Sequence, residues 1–257
     1  MKSKTIEIIY LATGSYKKFI PGFFGSLEFF FPGYSKIITV ISDDLSCCKD
    51  VEVDDSVIEF NIRKVIQLPY PFPSYFKYNY VREYCSRKAD YVFYFDADTI
   101  FVNNEFFICD DVLKMADENI LLSFHPFYAY DEEDYYAPGL SSSNTERNPE
   151  YSTYIEYDTY DYIIGSFFAG STENILKLCD KIINMMAEDL KKEGRRWYIP
   201  RYMDEAYLNS ISLHDNELSF KRMQFVVLKT FEDYFACTIC KQKDFSQVKE
   251  ERIIDSL

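Results

Sequence analysis

A chain of 257 residues is long enough for one substantial α/β domain or two small ones, and 47% hydrophobic against 27% charged residues with no long polar tract argues against wholesale disorder. The formal net charge of −14 argues against general nucleic-acid binding, which needs clustered Lys and Arg against phosphate, and against docking on an anionic membrane. Seven cysteines without a disulfide-framework spacing fit free thiols in a reducing cytosol, and no apolar run approaches the roughly 20 residues that span a bilayer, so a cytoplasmic protein without a transmembrane segment is expected.

The first strand runs from Thr5 to Thr13; Glu7 interrupts its apolar run, which favours a strand over a signal peptide. Gly14-Ser15 ends it, and Ser15 is placed to cap a helix whose apolar face includes Phe19, Phe23, Leu27 and Phe30, although Pro21 conflicts with an early start. Pro32-Gly33 turns into a second strand, Lys36 to Ile41, and a third apolar stretch lies around Val57 to Leu68. The run from Pro69 to Pro73 reads as loop, followed by a helix over about Phe76 to Lys88 and a fully apolar strand at Tyr91 to Phe95. This alternation predicts a mostly parallel sheet flanked by helices, with ligands bound beyond the carboxyl ends of its strands, just after Phe95. Residues 126–160 read as a long polar and tyrosine-rich excursion, of a kind that is often functional. Regular structure resumes at Tyr162 to Gly170, and a long amphipathic helix then carries Ile175, Cys179, Ile182, Met186 and Leu190 on one side. With no internal repeat and no linker, one domain over 1–257 is expected.

Three features carry chemistry. Asp96-Ala97-Asp98, the chain's one Asp-x-Asp, closes the apolar strand. In extended backbone i and i+2 share a side, so the two carboxylates can converge on a hard cation, Mn²⁺ or Mg²⁺, that bridges a nucleotide diphosphate; a loop-ordering pair is the plain alternative. Asp204-Glu205 suits either the positive end of a helix or carboxylate chemistry at an anomeric carbon. His125, one of two histidines, directly follows the apolar segment Ile120 to Phe124 and is either structural or part of a site. A basic cluster, Lys191-Lys192-Glu193-Gly194-Arg195-Arg196 with Arg201, reads as a solvated helix end or as a contact for anionic lipid or a phosphorylated donor.

Taken in order, the chain from about Ile8 to Asn209 resembles glycosyltransferase family 6, which includes the mammalian ABO blood-group transferases, the α1,3-galactosyltransferases and shorter bacterial relatives. Leu11-Ala12-Thr13-Gly14-Ser15-Tyr16 resembles the family's first strand and turn, and Phe72-Pro73-Ser74-Tyr75-Phe76-Lys77 resembles its W-P…S/T-x-x-R segment. Asp96-Ala97-Asp98 matches the D-x-D motif, His125-Pro126-Phe127-Tyr128 resembles H-P-G-F-Y, and Glu146-Arg147-Asn148-Pro149 with Tyr154-Ile155 resembles E-R-R-P…Y-I. Ile164-Gly165-Ser166-Phe167-Phe168-Ala169-Gly170 resembles L-G-G-F-F-G-G, and Tyr202-Met203-Asp204-Glu205-Ala206-Tyr207-Leu208-Asn209 resembles W-H-D-E-S-H-L-N. Beyond Asn209 the resemblance fades, and residues from about 230 to 257 read as a tail outside it.

The resemblance implies a GT-A fold and a retaining transfer of Gal or GalNAc from a UDP donor, α1,3-linked, to a β-galactoside-type glycan, including lipid-linked acceptors at the inner membrane face. By the same route Asp96 and Asp98 hold the metal. Glu205 faces the anomeric carbon as nucleophile or electrostatic stabiliser, and Asp204 binds donor-sugar hydroxyls. Leu11, Ala12, Thr13, Tyr16, Lys77, Ala97, Ile164, Gly165 and Ser166 line the donor, while His125 and Tyr202 meet the acceptor. Departures are Met203 and Tyr207 for two histidines, Lys77 for an arginine whose bidentate fork suits phosphate, and Ser166 for a smaller residue, which favours UDP-Gal over UDP-GalNAc. Two other classes compete: a non-catalytic nucleotide-sugar or glycan-binding protein of the same fold, and a nucleotidyltransferase, which lacks here the Gly-rich basic loop that a triphosphate needs.

Overall fold

The computed structural model describes residues 4–53, 55–102, 109–125, 148–156, 162–192, 199–200, 203–223, 226–228 and 238–240. Seven strands form one sheet: β1 (Thr5–Leu11), β2 (Ser35–Ser42), β3 (Val57–Lys64), β4 (Tyr91–Asp96), β6 (Ile120–Phe124), β7 (Ile163–Ser171) and β8 (Phe220–Met223), in the order β3-β2-β1-β4-β7-β6-β8. Parallel pairs join β3, β2, β1 and β4, and β6 with β8; β7 alone in this sheet runs against its neighbours. The protein is therefore α/β with a mostly parallel mixed sheet. A second sheet of three short strands joins β5 (Thr99–Phe101), β10 (Thr238–Cys240) and β9 (Val226–Leu228).

The inner strands β1, β2, β4, β7 and β6 read as near-continuous apolar runs because both faces of the sheet are covered there, whereas the edge strands β3 and β8 carry charged residues and are partly exposed. Alternation divides their side chains. Ile6, Ile8, Tyr10, Phe93, Phe95 and Phe167 pack on one face with α1 (Ile20–Phe24) and α4 (Cys109–Glu118), through Phe23, Phe24, Val112 and Leu113. Ile9, Leu11, Val92, Tyr94 and Phe168 pack on the other with α3 (Lys77–Tyr84), α5 (Thr172–Lys192) and α6 (Met203–His214), through Tyr78, Val81, Ile175, Leu178, Ile182 and Leu208. The aromatics stack within these layers, Tyr94 on Phe168 at 4.7 Å and 9° among them.

Two expectations about helices need correction. The single helix after Ser15 is three short pieces, a 3-10 turn at Gly14–Phe19, α1, and a second 3-10 turn at Leu27–Phe29. Pro21 sits in the first turn of α1, where its missing N–H costs nothing, and this fixes where the α-helix begins. For the same reason the run that reads as loop up to Pro73 includes the start of α2 (Phe72–Tyr75).

Two buried carboxylates were not foreseen as structural. Glu7, fully buried in β1, accepts from the hydroxyls of Thr39 (2.8 Å) and Ser86 (2.7 Å) and from the Ser86 amide (2.9 Å), tying the end of α3 to the sheet. On α5 it is Asp189, not Leu190, that is fully buried; it accepts from the Ser152 amide (3.0 Å), the Ser152 hydroxyl and the Tyr207 hydroxyl (3.3 Å). Of the described start of the basic cluster, Lys192 bonds Asp189 at 3.3 Å while Lys191 stays exposed; residues 193–198 and Arg201 lie outside the described residues. No described helix is long and apolar enough to cross a membrane.

Candidate active site

The reversed direction of β7 builds the site. Its pairing with β4, Phe95 opposite Phe167, sets the N-terminal end of β7 beside the carboxyl end of β4, so that Ile164-Gly165-Ser166 and Asp96-Ala97 meet at one sheet edge. The first turn of α6, carrying Asp204 and Glu205, packs against the same end of β7. At the entrance to α6, Met203 has φ of +45°, a left-handed conformation that costs a non-glycine roughly 1–2 kcal/mol, and its amide bonds the Pro200 carbonyl at 2.9 Å.

A cleft opens at this edge. It is lined by Leu11, Thr13, Gly14 and Tyr16 from the end of β1, by Gln67, Leu68 and Tyr70 after β3, by Pro73 and Ser74 of α2, and by Asp96 and Ala97. Gly14 turns the chain with φ of +55°, and its amide bonds the Asp43 carboxylate at 2.8 Å; a Cβ there would stand 3.1 Å from the Gln67 amide nitrogen.

Lys77, the first residue of α3, is the hub behind the cleft. Its ammonium group, 1% exposed, bonds Asp96 Oδ1 at 3.1 Å, Asp204 Oδ2 at 2.8 Å and the Gly165 carbonyl at 2.8 Å. An ammonium has three N–H donors, and these three acceptors use them all. Burial works against the charge on Lys77, but Asp204 and Asp96 outweigh it and hold its pKa above the usual lysine value. The Tyr94 hydroxyl donates to the same Asp96 oxygen at 2.7 Å, and the ammonium lies 5.0 Å from the Tyr94 ring. Lys77 is thus an internal clamp between the end of β4 and the start of α6. The role as a donor-phosphate contact that its position in the resemblance implies would require it to release one of these three acceptors.

Glu205 is held from two sides. Oε1 accepts the Gly165 amide at 3.0 Å and Oε2 accepts the Tyr162 hydroxyl at 2.9 Å. Burial, followed by the negative charge of Asp204, pushes its carboxyl up to about 7, against the opposing pull of these two donors and of Lys77. Burial also raises Asp204, although Lys77 pulls the other way. One turn along α6, Asn209 bonds both backbone groups of Ile163 at 2.8 Å and so locks the helix to β7. Glycine at 165 makes room for both acids, because a Cβ there would lie 2.2 Å from Asp204 Oδ2 and 2.6 Å from Glu205 Cγ and would displace those side chains. His125, at the end of β6, donates its amide to the Tyr162 carbonyl at 2.7 Å, and the two rings meet edge to face at 5.8 Å. Burial pushes its imidazole down to about 3, so the ring is neutral at physiological pH.

The backbone corrects one step of the metal argument. Asp96 ends β4, but Ala97 and Asp98 form a turn into β5, so strand alternation does not set the relation of the two carboxylates. Asp96 is 21% exposed on the cleft wall, whereas Asp98 is 2% exposed. Two carboxylates are hard oxygen donors of the kind that hold Mg²⁺ or Mn²⁺ together with substrate phosphate oxygens. The described residues contain no cluster of three or more acidic, His or Cys ligands, and a cation shared with a diphosphate needs none.

The sheet edge therefore collects Leu11, Thr13, Tyr16, Asp96 and Ala97 at the cleft and Lys77, Gly165, Asp204 and Glu205 behind it, with Ile164 and Ser166 flanking Gly165 on β7. Ala12 is fully buried beside them, bonding the Ile41 carbonyl through its amide at 2.9 Å. Tyr202, residues 126–147 and thus most of the polar excursion lie outside the described residues. Sequence reading missed Tyr162 and Tyr94, whose hydroxyls hold Glu205 and Asp96 respectively, and Gln67, Leu68 and Tyr70 in the cleft wall. Of these, Tyr94 alone carried a local signal, its i, i+2 spacing from Asp96. No family model matches this chain, and no curated protein sequence matches it.

Proposed function

We propose that the protein is a retaining glycosyltransferase that moves galactose or N-acetylgalactosamine from a UDP donor to a glycan hydroxyl, as its resemblance to glycosyltransferase family 6 implies. The observation that carries this reading is the Lys77 clamp. It joins the Asp-x-Asp segment to the Asp-Glu pair through Gly165, uniting in one cluster three segments that the resemblance had selected separately.

In this reading the cleft at Leu11, Thr13 and Tyr16 takes the uridine, with the buried Ala12 supporting its floor and making no donor contact, while Ile164, Gly165 and Ser166 border the donor sugar; the bulk of Ser166 favours galactose. Asp96 and Asp98 would hold Mn²⁺ or Mg²⁺, which neutralises charge developing on the UDP leaving group. Asp204, fixed by Lys77, orients sugar hydroxyls. Ionised Glu205 faces the anomeric carbon, where its charge stabilises the oxocarbenium-like centre or attacks it. The Gly165 N–H and the Tyr162 O–H both bond this carboxylate and favour its ionised form, which leaves it poised near neutrality rather than fully protonated. Neutral His125, beside Tyr162, offers one donor and one acceptor nitrogen, so it would either donate to or accept from an acceptor hydroxyl.

UDP release from a panel of UDP-sugars, with Mn²⁺ or EDTA and with or without a β-galactoside, tests the reading. Metal-dependent release from UDP-Gal or UDP-GalNAc that accelerates with acceptor and disappears in Glu205→Ala is expected. No release from any UDP-sugar would leave a binding protein of this fold, and pyrophosphate in place of UDP would point to nucleotidyl transfer.

A further inference from the structure

One pair of nucleophilic side chains lies apart from the acid cluster and has no part in glycosyl transfer. The turn after β2 carries Cys47 and Cys48, whose sulfurs stand 3.5 Å apart. Cys48 is 7% exposed and packs into the core, while Cys47 is half-buried and gives access from solvent. The turn is braced: the Cys47 amide bonds the Asp44 carbonyl at 3.2 Å, the Cys48 carbonyl accepts the Val51 amide at 3.1 Å, and Asp44 accepts the Ser46 amide at 2.8 Å.

Two uses of such a pair can be separated by geometry. A disulfide between neighbours must close across one trans peptide, whose Cα atoms are about 3.8 Å apart, below the roughly 4.4–6.8 Å of unstrained disulfides. It would also draw the sulfurs together by about 1.5 Å against the braced turn. A two-sulfur clamp on a soft centre needs no such movement. With sulfur–ligand bonds of about 2.3 Å, a 3.5 Å separation gives an angle at the bound atom of about 100°. That angle suits a pyramidal trivalent centre with a lone pair. Burial pushes the Cys48 thiol up to about 12, which makes it a poor thiolate for disulfide exchange but leaves it competent for a condensation that removes its proton.

We propose that Cys47 and Cys48 form a bidentate site for a trivalent thiophilic species of the arsenic(III) or antimony(III) class. With an aryl arsenic(III) oxide as probe, two As–S bonds form and the As–O bonds break. The oxygen leaves as water carrying both thiol protons, and arsenic stays trivalent, so no oxidant or reductant enters.

The test is native mass spectrometry of the full chain with phenylarsine oxide, in excess monothiol and then in dithiothreitol. One adduct per chain should survive the monothiol and be reversed by the dithiol. Because loss of one of two linked bonds forfeits the chelate advantage, Cys47→Ser and Cys48→Ser should each weaken the adduct about a hundredfold or more. Cys47→Ser changes a half-buried position and keeps the core, so its result stands even if Cys48→Ser folds poorly. The sequence holds a second dithiol, Cys237-Thr238-Ile239-Cys240, and Cys237→Ser is the control. An adduct that persists in Cys47→Ser, or that is lost in Cys237→Ser alone, would overturn the assignment.

Discussion

Replacing Lys77 by methionine removes a buried cation while keeping most of its stem. The wild-type ammonium has three acceptors at 2.8–3.1 Å. Removing one partner of a buried ion pair costs about 3–5 kcal/mol, chiefly because the other charge is left uncompensated. Here the cost is divided unequally. Asp96 is 21% exposed and can rehydrate, whereas Asp204 is 7% exposed and cannot. Asp204 must therefore take up a proton, and the sign of the pH dependence follows. Its pKa is already raised in the folded protein, and without Lys77 it rises further. A carboxyl whose folded pKa exceeds its unfolded value loses stability as pH climbs from the unfolded value through the folded one. Lys77 stays charged below its raised pKa and adds no slope between pH 5 and pH 8. The deficit of Lys77→Met should accordingly be largest at pH 8 and smaller at pH 5. Urea unfolding followed by circular dichroism should show a midpoint lower by about 1–2 M at pH 8. Lys77→Arg keeps the charge, but a planar fork does not reproduce three bonds from a compact ammonium in a filled site, so it should still lose about 1–3 kcal/mol. A Lys77→Met midpoint unchanged from wild type, or a loss equal at both pH values, would refute the clamp.

Gly165→Ala puts a methyl group 2.2 Å from Asp204 Oδ2 and 2.6 Å from Glu205 Cγ, so both side chains must shift from their places; UDP release should fall about a hundredfold or more, at a stability cost of about 1–3 kcal/mol, and near-wild-type turnover would contradict the packing. Tyr162→Phe removes a donor to ionised Glu205, so the acidic limb of the rate profile, expected near the Glu205 value of about 7, should move up by about one pH unit. Glu205→Gln should remove that limb together with the activity while the fold is retained, as far-UV circular dichroism would report. Asp189→Leu strands the Ser152 amide, the Ser152 hydroxyl and the Tyr207 hydroxyl; a cost of about 3 kcal/mol should lower Tm by about 6–12 °C, and a shift of under about 2 °C would mean that water replaces the carboxylate.

Element type was legible along the chain where a long apolar run or a helical spacing stood out locally. The segment Tyr91 to Phe95 read correctly as a strand, whereas the apolar segment Ile120 to Phe124 and the regular segment Tyr162 to Gly170 received their strand type only from the sheet. The spacing of Ile175, Cys179, Ile182 and Met186 marked α5, because period and hydrophobicity are local properties of the chain. The Asp-x-Asp at the sheet's ligand edge was legible for the same reason, since a run of apolar residues that stops at two acids marks the end of a buried strand.

The partners of the acids, by contrast, are set by long-range packing. Nothing near Lys77 in the chain announces that its ammonium will be sealed between Asp96, Asp204 and Gly165, because those partners come from three distant segments. The choice depends on β7 running antiparallel to β4, which brings Gly165 to Asp96. Tyr162 is one of 23 tyrosines and became a Glu205 partner only through that same reversal. The raised carboxyl of Glu205 likewise arises from desolvation and from the charge of Asp204, and a pattern of residue types cannot report the solvent that folding removes.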